Sequence, residues 1–217
     1  VDGLLSRGQC WVIAGGCFAL GIVIGLLIVV LREPRVLSFG LVGVALAWYY
    51  HGGSVRLAYR GMGELAVFLA YGPLVVCGTY LVQTGFLTAA LMSASLVLGL
   101  LVAAFLWINE FPDYSADKAN GKCNLVVRLG RERSAVVYAA IVTAAYLLLV
   151  LASVSLDGAR GMLWGLLGAI PAAFAMIRLL SSDGDTSRIV PAQAATLVSF
   201  LVMALGSSAG YLWGQIP

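Results

Sequence analysis

Residues 96–122 read LVLGLLVAAFLWINEFPDYSADKANGK, and the break inside them decides the fold. Leu96 to Ile108 is unbroken apolar chain; from Asn109 onward polar and charged residues take over. Extended back to residue 87, the apolar run has the roughly 20 residues that a helix needs to cross a bilayer. The pattern recurs at 11–31, 36–50, 65–83, 87–108, 135–156, 161–180 and 190–213, each run bounded by Arg, Gly, Pro or Asp. Of the 217 residues, 61% are hydrophobic and 11% are charged, against roughly 25% charged in a soluble domain. A water-soluble core cannot absorb that excess. Because the runs are continuously apolar, and do not alternate as barrel strands would, helices are expected. The reading is an all-α membrane protein of about seven transmembrane helices, one domain over residues 1–217. The run at 36–50 is short for a span and needs little tilt, or neighbours that cover its end.

The charges sort by side. Connecting the seven spans places Arg7, Arg56, Arg60, Lys118, Lys122, Arg128, Arg131, Arg133, Arg178 and Arg188 on one side, and Arg32, Arg35 and Arg160 on the other. All the acids except Glu33 and Asp157 share the first side. The positive-inside tendency assigns that side to the cytoplasm, in a multi-pass protein of the cell membrane. A net charge of +3 says little about nucleic acid here, because in a membrane protein the loops that carry Lys and Arg are what matter; the expected partner is the lipid bilayer, with no nucleic acid, and the oligomeric state stays open. Cys10, Cys17, Cys77 and Cys123 lack any C-x-x-C spacing, which argues against a disulfide framework or a zinc site. His51 has no ligand-type neighbour at metal spacing and reads as a loop or interfacial residue.

Asn109, Asp113 and Asp117 recur every four residues. On a continuous helix they form one stripe, rising about 6 Å per step. Two carboxylates in such a stripe repel each other and lose hydration near a bilayer, so they call for a cation. Oxygen-only ligands suggest Mg²⁺, which is usually held by one or two carboxylates together with substrate phosphates. Lys118, Lys122, Arg128, Arg131 and Arg133 follow closely enough to donate to phosphate oxygens. The plainer alternative is that the aspartates cap a helix and balance a basic loop. Pro112 removes one backbone donor and is expected to kink the helix.

The run Asn109 through Gly130, ending Asn124-Leu125-Val126-Val127-Arg128-Leu129-Gly130, resembles the second aspartate-rich motif of the UbiA superfamily of membrane prenyltransferases. That motif is N-x-x-x-D-x-x-x-D-[KR] followed by G-K-x-x-L-x-V-R-L-G. Tyr59-Arg60-Gly61-Met62-Gly63-Glu64 is similar to the Y-R-G-[LM]-G-[DE] of the branch that prenylates dihydroxynaphthoate for menaquinone. The resemblance implies a nine-helix bundle with a central cavity, in which Mg²⁺ joins two aspartate motifs to a polyprenyl diphosphate. It also implies that the prenyl group passes to an aromatic acceptor, such as a quinone precursor, by Mg²⁺-assisted ionisation. The family's first motif, N-D-x-x-D-x-x-x-D, is missing: the remaining aspartates are Asp2, Asp157, Asp183 and Asp185. Two helices carrying that motif are therefore expected upstream of Val1, and residues 1–217 alone are expected to be inactive.

Carried over residue by residue, the resemblance assigns Asp113, Asp117 and Lys118 to catalysis. Asp113, Asp117 and Asn109 go to the metal, and Asn109, Lys118, Lys122, Arg60 and Arg128 to the diphosphate. Tyr71, Tyr80, Trp107 and Tyr114 are candidates to line the substrate pocket and shield a carbocation, against the alternative of anchoring helices at the interface. Gly21 and Gly25, Gly161 and Gly165, and Gly206, Gly210 and Gly214 have the small-xxx-small spacing of close helix contacts. A transporter or channel is the rival class, but it predicts charges near the middle of spans, and here the acids cluster at one interface. Asp157-Gly158-Ala159-Arg160 superficially resembles an element of the CDP-alcohol phosphotransferases, with the wrong spacing and on the opposite side.

Overall fold

The expected apolar runs become helices because backbone N–H and C=O groups in lipid must be satisfied within the segment. A computed structural model describes residues 6–182 and 184–213; Asp2, Asp183 and Gly214 lie outside the described residues. The helices are α1 (Arg7–Leu31), α2 (Val36–His51), α3 (Gly63–Thr84), α4 (Ala89–Ala119), a short α5 (Leu125–Leu129), α6 (Arg131–Ser155), α7 (Arg160–Leu180) and α8 (Thr186–Trp213). Among the described residues six helices are long and apolar enough to cross a membrane; α2, at 16 residues, is shorter. Its length of about 24 Å falls below a bilayer core of about 30 Å.

Three helices differ in detail from their apolar runs. Helix α4 does not end at Ile108 but continues through the polar motif and past Pro112 to Ala119. Helix α3 widens to π winding over Ala70–Cys77, around Pro73, which has no N–H to donate. Helix α7 opens as a tight 3₁₀ helix over Arg160–Gly168 before relaxing to α over Ala169–Leu180.

Helix α4 is the hub of the bundle and packs against α3, α6 and α8, while α7 lies along α8. Trp107, Ile108 and Phe111 of α4, Tyr138 and Leu149 of α6 and Met162 of α7 are buried in one core. Between α6 and α8 the Tyr138 hydroxyl pairs with Thr196 Oγ1 at 2.6 Å and the Tyr146 hydroxyl with Ser199 Oγ at 2.8 Å, the interhelical polar contacts that apolar surroundings favour. Glycines set the closest approaches. A Cβ on Gly72 of α3 would stand 2.5 Å from Ser95 O, and one on Gly161 of α7 would stand 2.6 Å from the Tyr211 N of α8. Gly21 and Gly25 behave otherwise: nothing lies within 4 Å of where their Cβ atoms would be. Helix α1 packs chiefly on α2, so their small-residue spacing leaves a groove of about 700 Å³ between α1, α2 and α3 instead of a helix contact.

The connections gather at two ends. At one, Arg35 donates to both carboxylate oxygens of Glu33 at 2.8 Å and to Gly85 O at 2.6 Å, tying the α1–α2 turn to the end of α3. At the other, Cys123 N donates to Tyr59 O at 3.1 Å and Gly184 lies against Arg131. The segments around residues 59, 123 and 184 therefore share one end of the bundle, as the charge sorting expects.

Candidate functional site

The unbroken winding of α4 through Pro112 puts Asn109, Asp113 and Asp117 on one face. Asn109 is half-buried, Asp113 exposed and Asp117 half-buried, so the middle of the stripe is its most open part. Helix α8 supports the lower end: Gln193 Nε2 donates to Asn109 Oδ1 at 2.8 Å. The upper end is held by the loop that follows α4. Lys122 Nζ donates to Asp117 Oδ2 at 2.8 Å, and Asn124 Nδ2 donates to the same oxygen at 2.9 Å. Burial alone pulls the Lys122 ammonium below its ordinary range. The hydrogen bond and charge of Asp117, with Glu110 and Asp113 beyond, outweigh that and leave it raised. Lys122 thus remains a cation at the carboxylate.

Both donors to Asp117 fall on Oδ2, which leaves Oδ1 outside the described hydrogen bonds. Among the described residues no three His, Cys, Asp or Glu side chains group closely enough to hold a metal ion. The donor set is all oxygen and too small for a complete shell. It fits a hard divalent cation whose remaining ligands are water and phosphate oxygens, and does not fit a closed protein cage.

The segment before α3 completes this end. Gly61 turns at φ +69°, and a Cβ there would meet Arg128 Nε at 3.1 Å; Arg128 Nε donates to Cys123 O at 2.8 Å. Arg60 donates to Ser54 O at 2.9 Å. Lys118 is exposed on the outermost turn of α4, 5.9 Å from the Tyr114 ring centroid, with the Arg131 guanidinium 4.9 Å from the same ring. The segments that carry Asn109, Asp113, Asp117, Lys118, Lys122, Arg60 and Arg128 are thus brought to one end.

The four aromatic candidates are dispersed. Tyr114 is beside the stripe. Tyr71 lines a cavity of about 500 Å³ between α2 and α3, together with Tyr50 and Ala66. Trp107 is 3% exposed and donates Nε1 to Ser134 O at 3.1 Å, inside the α4–α6 core. Tyr80 stacks edge-on to Phe86 at 5.8 Å, in the last turn of α3, away from the stripe. His51 ends α2, edge-on to Tyr50 at 4.7 Å.

Four polar residues with no role in the sequence reading meet here. Glu64 and Glu110 are 4% and 6% exposed, their carboxyl groups close enough to interact, and each keeps a buried Oε2 with no hydrogen-bond partner among the described residues. Glu110 follows Asn109 directly, about 100° round the helix and off the stripe, so spacing gave it no signal. Asn124 and Glu64 lie inside quoted motifs without an assigned task. Gln193 carried one weak signal, as a polar side chain in an apolar span.

The UbiA prenyltransferase family matches residues 1–200. The chain belongs to the UbiA prenyltransferase family. It is similar to the 1,4-dihydroxy-2-naphthoate octaprenyltransferase of Mycobacterium tuberculosis, at 29% identity over 91% of this chain and 66% of that one. Similarity extends to the 2-carboxy-1,4-naphthoquinone phytyltransferase of Synechocystis, at 32% identity over 60% of this chain and 43% of that one. A third relative is the 1,4-dihydroxy-2-naphthoate octaprenyltransferase of Escherichia coli K12, at 37% identity over 43% of this chain and 30% of that one. The chain thus spans less than two thirds of the length of these UbiA relatives. No solved structure matches it.

Proposed function

We propose that this chain carries one half of the active site of an enzyme that transfers a polyprenyl group from an allylic diphosphate to an aromatic acceptor of the quinone-precursor type. The observation that carries the reading is the Asn109, Asp113 and Asp117 stripe at a helix end, held from α8 by Gln193 and from the following loop by Lys122 and Asn124. The two carboxylates and the Asn109 amide would hold Mg²⁺ together with diphosphate oxygens, and the bound ion would supply Lewis-acid neutralisation of charge on the leaving group.

The chain's own side chains do the rest. Lys118, exposed on the last turn of α4, would meet a phosphate oxygen as a point charge, and Arg60 and Arg128 would donate the N–H groups not engaged with Ser54 O and Cys123 O. These fixed donors favour developing negative charge over the intact substrate, which is where rate acceleration arises. As the diphosphate departs, the allylic carbon becomes a cation; an aromatic ring carbon of the acceptor attacks it and then loses its own substituent, a proton or a carboxylate leaving as CO₂, so that aromaticity is restored. The cavity beside Tyr71, about 500 Å³ and mostly apolar, would give the prenyl tail an apolar wall. The names of the similar enzymes support a naphthoate-type acceptor, hence a step toward menaquinone, and the sorting of basic residues supports a cytoplasmic site in the cell membrane.

The test is product analysis of membranes containing the full-length protein, incubated with labelled prenyl diphosphates of several lengths and with naphthoate, benzoate and sugar-phosphate acceptors. A prenylated naphthoate that forms only with Mg²⁺ is the expected product. Transfer to a non-aromatic acceptor alone would overturn the reading.

A further inference from the structure

We infer that Glu64 and Asn124 are positioning residues for Asp117, forming a clip that reaches from α3 across the short helix α5 to the aspartate stripe. The inference rests on the proposed diphosphate chemistry. Glu64, in the first turn of α3, accepts the Leu125 N–H on Oε1 at 2.7 Å, and Leu125 is the first residue of α5. Asn124 caps α5: its Oδ1 accepts the Val127 N–H at 2.8 Å. That bond fixes which end of the amide is oxygen, so the Nδ2 end must be the one turned to Asp117 Oδ2 at 2.9 Å. Asn124 is 1% exposed. Its side chain is locked at both ends, and one rotation sets the position of the carboxylate.

Such a clip has a physical reason. Asp117 lies in the last turn of α4, where the carbonyl end of the helix disfavours an anion. With no helix N–H groups aimed at it, the carboxylate needs donors from elsewhere to hold one rotamer. Lys122 supplies charge on a flexible stem, whereas Asn124 supplies direction from a buried, capped position. Glu64 in turn fixes Asn124, because the adjacent peptide N–H is its anchor and Cys123 N is bonded to Tyr59 O. The Tyr59–Glu64 segment, sixty residues upstream in sequence, thereby sets the geometry of the second aspartate. Outer partners of this kind typically change metal affinity or activity by about 10–100-fold when removed.

The substitutions separate cap from clip. Asn124→Asp keeps the size and the cap acceptor but puts an acceptor where Asp117 needs a donor. Glu64→Leu deletes the anchor, and Glu64→Gln keeps an acceptor for Leu125 N–H. In the intact protein in detergent, Asn124→Asp and Glu64→Leu should raise the Mg²⁺ concentration for half-maximal transfer by about tenfold or more, with the KM for acceptor moving less than about twofold. Glu64→Gln should restore the Mg²⁺ dependence toward wild type. A Mn²⁺ titration read by electron paramagnetic resonance, with a non-reactive prenyl diphosphate analogue and no turnover, should show the same order of affinities. Wild-type Mn²⁺ affinity in both disruptive variants, or no Mn²⁺ binding by wild type, overturns the clip. If the titration orders the variants as expected while wild type transfers no prenyl group, the clip stands and the proposed reaction falls.

Discussion

Gly61 shows how much of the site depends on one backbone angle. At φ +69° it adopts a conformation that costs an L residue about 1–2 kcal/mol, and a methyl group would press on Arg128 Nε at 3.1 Å. Gly61→Ala is expected to destabilise the protein by about 1–2 kcal/mol, seen as a lower thermal midpoint in detergent, and to loosen Arg128. An unchanged midpoint would show that the turn yields without strain. At this scale the sequence was legible where side chains share a helix face. Asn109, Asp113 and Asp117 follow from spacing alone. Glu110 is off that phase, Gln193 comes from another span, and the task of Asn124 depends on how a loop folds back, so periodicity could not assign them.

The elements were legible as apolar runs because lipid permits little else, and the structure adds winding and partners. Helix α4 outruns its apolar segment, since a polar sequence in helical phase can continue the ladder once outside lipid, and Pro112 costs it one donor without ending it. Gly21 and Gly25 have the spacing for contact but α1 brings no partner to them, whereas Gly161 and Gly165 meet α8. The α1–α2 turn makes a further prediction. The hydrogen bonds from the Arg35 side chain and backbone, followed by the charge of Arg35, outweigh desolvation and hold the Glu33 carboxyl at about 2, below its ordinary 4.5. A lowered folded value means that the stabilisation is fully present above about pH 4.5 and is lost as pH falls through about 2. Thermal midpoints of wild type and Glu33→Gln should therefore differ at pH 6 and converge toward pH 2; a difference that persists at low pH would mean that Gln perturbs the turn by another route.

For the whole molecule, the three segments that meet at the motif end should all face the cytoplasm. Single cysteines at Ser54, Ser115 and Ser187, in a background without native cysteines, should react with an impermeant maleimide only after the membrane is opened; labelling of any one on intact cells would contradict the span order. The central claim is that Asp113 and Asp117 serve prenyl transfer instead of merely ending a helix. Its most direct test is Mg²⁺-dependent transfer by Asp113→Ala and Asp117→Ala in the full-length protein, measured beside a thermal melt without Mg²⁺. The account predicts turnover lower by at least roughly 100-fold in both variants, with an intact melt for Asp113→Ala; Asp117→Ala also takes the acceptor from Lys122 and from the buried Asn124 amide, so its melt is lower but still cooperative. Near-normal transfer by both variants would contradict it.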